Sequence, residues 1–193
     1  MVAVRSIPFL TIGKDLCVTG SALLFQGCDL LSRAIECFSE FSHCAPIIRL
    51  EDFGVQEGLV LFEALKHGIT PNCLIERCTA YEGYIYLFVP EGLTFDAKQG
   101  FYRYLLRKHM DGTPFDFPAL LENAIVHVKE DDTALFCSEA YDAALQAGGL
   151  SRSAYSDVSL APRPGDIPKW WRGTVFRLLP PFSHIEPIKA QAI

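Results

Sequence analysis

Apolar residues at Leu30, Leu31, Ala34, Ile35, Phe38 and Phe41 recur at spacings of three and four, so Asp29 to Phe41 reads as an amphipathic helix capped by Asp29. Short apolar runs at Leu16-Cys17-Val18 and Ala22-Leu23-Leu24-Phe25 flank the turn signal Thr19-Gly20-Ser21 and predict two short strands. Further strands are expected around Ile47, over Gly58–Leu65, around Leu74 and Ile75, over Tyr84–Val89 where Pro90 ends the run, and over Val175–Leu179. Helices are expected from Phe95 to Met110, with Phe101, Tyr104, Leu105 and Met110 near one face, and from Pro118 to about His127. A helix after Cys137 should stop at Gly148-Gly149. Gly112–Phe117 and Ser151–Pro168 read as loops, the second leading into Trp170-Trp171. No internal repeat and no long linker divides the chain. The expectation is one α+β domain over residues 1–193, a small antiparallel sheet packed against helices.

The candidate chemistry begins at Cys137. The segment Leu135-Phe136-Cys137-Ser138-Glu139-Ala140-Tyr141 leads into good helix formers, and Ser138 and Glu139 suit a first turn. Cys137 therefore belongs at a helix N-terminus, where unpaired N–H groups and the positive dipole end lower a thiol pKa from its free value of about 8.5. The sequence leaves two readings open: a nucleophile, or a small apolar residue packed under a helix.

A nucleophilic thiol needs an imidazole to accept its proton and a third group to orient that imidazole. Of the five histidines, His43 opens the strand-like segment His43-Cys44-Ala45-Pro46-Ile47-Ile48-Arg49-Leu50. In the next strand run, Glu63 is an acid among apolar residues, where an unpaired carboxylate would be costly. If the two strands pair, Glu63 reaches the His43 ring; otherwise it is a solvent-facing strand residue. Pro46 cannot donate to a sheet ladder, which argues for an edge strand or a bulge. Neighbouring strand residues point to opposite faces, so with His43 toward the site Cys44 should face away as a packed thiol. His67, His109, His127 and His184 have no evident acid partner and read as surface or structural.

In order, these segments resemble the circularly permuted branch of the NlpC-type, papain-like cysteine hydrolases. The matching pieces are Ser42-His43, Phe62-Glu63-Ala64-Leu65, Gly112-Thr113-Pro114-Phe115-Asp116-Phe117, Phe136-Cys137-Ser138-Glu139 and the closing Pro162-Arg163-Pro164-Gly165-Asp166. The resemblance spans about Gly13 to Pro168 and implies a permuted papain-like fold. It implies Cys137 as nucleophile, His43 as general base and Glu63 as the residue that orients the imidazole. The backbone N–H of Cys137 would be an oxyanion donor, and Phe115 and Ser138 would contact the substrate. Many relatives carry Tyr where this chain has Phe115, so one hydroxyl is missing.

Half of the 193 residues are hydrophobic, with 14 Phe, enough for a folded core. A net charge of −6 with no Lys/Arg cluster disfavours nucleic acid as a partner. The seven cysteines are scattered, without Cys-x-x-Cys or a matching His spacing, so no metal site and no cofactor are expected. There is no signal-like N-terminus and no apolar run long enough to span a membrane, so a reducing, cytoplasmic setting with free thiols is expected. Trp170 and Trp171 read as a substrate rim, a membrane contact or core packing.

The leading expectation is thus a thiol hydrolase that cleaves an amide in a small peptide-like substrate through an acyl-enzyme. The alternatives are a fatty-acyl ester hydrolase or acyltransferase, as in the lecithin:retinol acyltransferase group, and a non-catalytic binding module on the same fold.

Overall fold

A computed structural model of the chain describes residues 4–27, 30–65, 67–125, 134–153 and 160–182. Its strands are β1 (Val4–Pro8), β2 (Ala22–Gly27), β3 (His43–Arg49), β4 (Leu59–Leu65), β5 (Gly68–Cys73), β6 (Gly83–Pro90) and β7 (Gly173–Leu179). They form one seven-stranded sheet in the order β1-β7-β6-β2-β3-β4-β5. The β1–β7 pair is parallel and the other neighbours are antiparallel. The class is α+β as expected, but the sheet is larger than anticipated and mixed. Strands from both ends of the described chain lie side by side in it.

The helices are α1 (Lys14–Leu16), α2 (Leu30–Glu36), α3 (Leu74–Thr79), α4 (Phe95–Met110), α5 (Phe117–Ile125), α6 (Cys137–Ala147) and α7 (Ile167–Trp170). Alternation along the strands sorts their side chains onto two faces. Ala22, Leu24, Cys44, Phe62, Ala64 and Phe88 pack with Phe101 and Leu105 of α4 and with Cys137, Tyr141 and Leu145 of α6. Leu23, Phe25, Ala45, Ile47, Leu61 and Leu87 pack on the opposite face with Leu74 and Cys78 of α3.

α4 has the bounds its periodicity predicts. The Thr94 hydroxyl caps it by accepting the Ala97 N–H at 3.2 Å, and Ala97, Phe101 and Leu105 bury one stripe. Met110, expected on that face, is exposed. α4 crosses α6 closely because both helices present glycine there. A Cβ on Gly100 would lie 2.5 Å from the Ala147 carbonyl oxygen, and one on Gly148 would lie 2.7 Å from that of Ala97. Tyr141 of α6 is wholly buried and donates its hydroxyl to the Gly20 carbonyl at 2.8 Å, which ties the helix to the start of β2.

Four local expectations are corrected. Leu16-Cys17-Val18 is no strand: Phe9–Gly13 forms a π-helical turn that runs into α1, and buried Cys17 closes it. α2 ends at Glu36 rather than Phe41; the chain then turns, leaving Phe38 exposed and dropping Phe41 into the core from outside the helix. The periodicity ran on because a buried turn residue fell in helical register, while Asp29 lies outside the described residues. The stretch around Leu74 and Ile75 is helical, since Leu74 and Cys78 one turn apart bury together. β3 is interior, yet its proline is tolerated. It pairs with β2 through His43–Pro46 and with β4 only from Ile47 to Arg49, so Pro46 sits where the chain passes from one ladder to the other. The helix expected to His127 is described only to Ile125.

Gly100→Ala would normally stabilise a helix interior. Here the added methyl meets backbone, and it is expected to destabilise the protein by about 1–3 kcal/mol in urea unfolding. A stabilised variant would show that the α4–α6 crossing has room to spare.

Candidate active site

Cys137 is the first residue of α6, and Phe136 in extended conformation is the cap. The Glu139 carboxylate reaches back to accept the Phe136 N–H at 3.4 Å, so the acid of the first turn helps fix the helix start. The preceding residue, Leu135, is held beside Phe115 in a parallel bridge. Its N–H donates to the Pro114 carbonyl at 3.1 Å, and its carbonyl accepts the Asp116 N–H at 3.3 Å. The segment that ends at Trp170 is tied to the same helix. Ser138 donates its hydroxyl to the Pro162 carbonyl at 2.7 Å. Gly165 donates its N–H to Ser39 at 2.9 Å, a few residues before His43.

The sheet opens at this point. The β3–β4 ladder covers only Ile47↔Leu61, Ile48↔Val60 and Arg49↔Leu59, so at the other end of the pair the strands part. Beyond the end of that ladder, the Cys44 N–H and the Ser138 N–H both donate to the Cys137 sulfur. The thiol also shares a hydrogen bond with His43. His43 donates its Nε2–H to Glu63 Oε1 at 3.1 Å, so Nδ1 is the nitrogen left for the thiol. The three residues singled out as Cys137, His43 and Glu63 form one hydrogen-bonded chain.

The electrostatics follow from burial and pairing. Burial works against charge on Cys137, but the imidazolium, the shared hydrogen bond and the two backbone donors outweigh it, holding the thiol below its ordinary pKa. Burial also works against charge on His43. The Cys137 thiolate, the hydrogen bonds to it and to Glu63, and the carboxylate charge overcome this and raise the imidazole from 6.5 to about 9. Glu63 is fully buried, which would raise its pKa. Its bond and charge pairing with His43, then its pairing with Arg77, instead lower it from 4.5 to about 2. Both shifts favour the thiolate–imidazolium form of the pair.

Several residues were not foreseen in these roles. Asn72 donates its Nδ2–H to Glu63 Oε2 at 2.9 Å, and Arg77 donates its Nε–H to Oε1 at 3.1 Å. Both come from the β5–α3 stretch read as a short strand. A buried strand carboxylate demands donors, and that demand was the signal in the sequence. Cys44 lies in the core cluster that contains Cys137, not on the side away from it. It is a packed thiol nonetheless, pushed well above its ordinary pKa by burial and by the neighbouring thiolate.

Of the two expected substrate contacts, Ser138 is corrected: its side chain is fully buried and its hydroxyl is spent on Pro162. Phe115 is half-buried and packs its ring against the core, while its backbone aligns Leu135. His109 donates Nδ1–H to the Ile69 carbonyl at 2.7 Å, a structural bond, and His67 is exposed at the β4–β5 turn. His127 and His184 lie outside the described residues. Trp171 is buried and donates its indole N–H to Asp142 of α6 at 2.8 Å; Trp170 lies under the Arg152 guanidinium, 4.9 Å from its ring centroid. Trp171 thereby anchors the middle of the cysteine helix. A cavity of about 570 Å³ along β4 and β5, lined by Leu59, Val60, Asn72 and Ile75, includes neither Cys137 nor His43.

No protein-family profile matches the chain, and no curated protein matches it. Among solved structures, the metalloprotein YiiX from Escherichia coli O157:H7, DUF1105, is similar with a TM-score of 0.54 at 20% identity, covering 69% of this chain and 67% of its own. At that identity the likeness concerns the fold alone. Among the described residues here, no three His, Cys, Asp or Glu gather where they could hold a metal ion. No helix among them is long and apolar enough to cross a membrane.

The thiolate can be read without substrate, from ultraviolet absorbance of the wild-type protein minus that of Cys137→Ser. Its midpoint is expected below the ordinary thiol range and should move upward in His43→Ala, which removes the cation beside it. A midpoint at or above the ordinary value in the wild type would mean that the thiol is not activated.

Proposed function

We propose that the protein is a cysteine hydrolase that cleaves an amide bond in a small peptide-like substrate through an acyl-enzyme, within a permuted papain-like architecture. The observation that carries this reading is the hydrogen-bonded Cys137–His43–Glu63 chain, with its sulfur at the N-terminus of α6.

The Cys137 thiolate attacks the carbonyl carbon, and the C–O π electrons move to oxygen. The Cys137 N–H is at the first helical position, where no intrahelical acceptor exists, and it is the donor placed for that oxyanion. Phe115 adds no hydroxyl there. The His43 imidazolium then gives its Nδ1 proton to the leaving nitrogen as the C–N bond breaks, leaving a thioester on Cys137. A water enters, gives a proton to His43 and attacks the thioester carbonyl. Collapse of that intermediate releases the acid, and the thiolate–imidazolium pair is restored. Glu63 keeps the ring in the tautomer and orientation that both half-reactions require.

A second reading keeps the chemistry and changes the substrate to a fatty-acyl ester. It is favoured by one observation: Ile35, Leu120, Phe136 and Ala161, with Phe115 and Ala119 against them, form an apolar cluster directly ahead of the nucleophile.

Cys137→Ala should reduce turnover on the order of 1,000-fold or more while the protein stays folded, and His43→Ala should come close to it. Glu63→Gln should be milder, because the amide oxygen still accepts the imidazole N–H. The wild-type pH profile should rise as Cys137 ionises and fall as His43 loses its proton near pH 9. A panel of peptide amides and fatty-acyl esters decides the substrate: turnover of esters alone sinks the amide reading, and full activity in Cys137→Ala sinks both.

A further inference from the structure

The oxygen that orients His43 has a second claimant. Glu63 Oε1 accepts from His43 Nε2 and from Arg77 Nε, each at 3.1 Å. Arg77 comes from α3, against the face of the sheet opposite α4, and its position is fixed by rings. Its guanidinium carbon lies 5.0 Å from the Phe25 centroid and 5.2 Å from that of Tyr81. Phe25 also packs beside the imidazole, with centroids 5.5 Å apart, so one ring seats both cations. With the thiol and the imidazole both ionised, the cluster holds Cys137 and Glu63 as anions, His43 and Arg77 as cations, and no net charge. Without Arg77 it would carry an uncompensated negative charge, at a carboxylate with no exposed surface and a thiol 2% exposed.

We propose that Arg77 is a positioning residue and the fourth ionised member of the site, drawing on the same carboxylate oxygen as His43 and so limiting how tightly the imidazole holds its proton. The role of that limit in turnover rests on the hydrolase reading. A general acid with too high a pKa surrenders its proton slowly to the leaving group, and a carboxylate shared with a guanidinium stabilises the imidazolium less than a free one does. The other groups that face the pair add no opposing charge in the working range. Asn72 of β5 is neutral, and burial keeps the Cys44 thiol of β3 and the Cys78 thiol of α3 protonated. Tyr81 meets Arg77 through its ring face.

The test is the midpoint at which His43 loses its proton, followed by 15N NMR of the imidazole in the whole protein, with the signal assigned by its loss in His43→Ala. In Arg77→Met, which keeps an apolar stem against Phe25 and Tyr81, the midpoint is expected to rise by about half a unit or more. In Glu63→Gln it should move the other way, and Arg77→Lys should stay near the wild type. Arg77→Gln keeps an N–H donor without the charge and should rise as Arg77→Met does, which provides a second variant should the first fail to fold. A midpoint that stays or falls in the uncharged variants overturns the proposal, as does Arg77→Lys behaving like Arg77→Met. Because the titration uses no substrate, the two readings fail separately. An unactivated Cys137 removes the hydrolase and leaves the Arg77 result legible, whereas an unmoved His43 beside a normal thiolate removes only the role of Arg77.

Discussion

A carboxylate with no exposed surface, set in an otherwise apolar strand, is tolerable only if every lone pair that matters meets a donor. Glu63 meets that condition with groups from three other elements: His43 of β3, Asn72 of β5 and Arg77 of α3. Much of the local architecture follows from supplying them. The β4–β5 hairpin must pair in the register that sets Leu61 against Asn72 and Glu63 against Thr70, which brings Asn72 diagonally beside the acid. α3 must follow at once, so that Arg77 returns over Phe25 to the same carboxylate.

The thiol depends on the same arrangement one step removed. Glu63 behind His43 and Cys137 in front raise the imidazole to about 9, and His43 in turn lowers the pKa of the thiol. Neither charge would survive burial alone. Beyond the end of the β3–β4 ladder a further ingredient is added: the Cys44 N–H donates to the sulfur. Around this opening the chain fastens the α6 start from both sides, through Leu135 beside Phe115 and Ser138 beneath Pro162, while Trp171 holds the middle of the helix through Asp142. For the proposed covalent mechanism this rigid placement of the sulfur matters, since small displacements cost rate steeply.

Parts of this were legible in the residues because their cause is local. α4 follows a threonine cap and carries its apolar stripe at Ala97, Phe101 and Leu105, so its bounds could be read directly. β6 is a run of aromatic and branched residues that ends at a proline. The helix start at Cys137 was visible in its first-turn residues, and the isolation of Glu63 among apolar neighbours marked it as needing a partner. The misreadings share one cause as well. Phe41 and the Leu74–Thr79 segment have side chains whose burial is set by elements distant in sequence, so periodicity alone assigned them the wrong backbone.

By itself, then, the sequence determined the α+β class and the principal helices, and it marked Cys137, His43 and Glu63 as candidates, because propensity, capping and the cost of a lone buried charge act within a few residues. Only the tertiary structure decided that the sheet has seven strands in mixed order, that it opens between β3 and β4, and that Asn72 and Arg77 complete the acid's surroundings. It also decided that the Ser138 hydroxyl belongs to the scaffold. Those features arise from contacts between segments far apart in the chain. No local pattern records such contacts, because the free energy that selects them comes from burying several elements together rather than from any one of them.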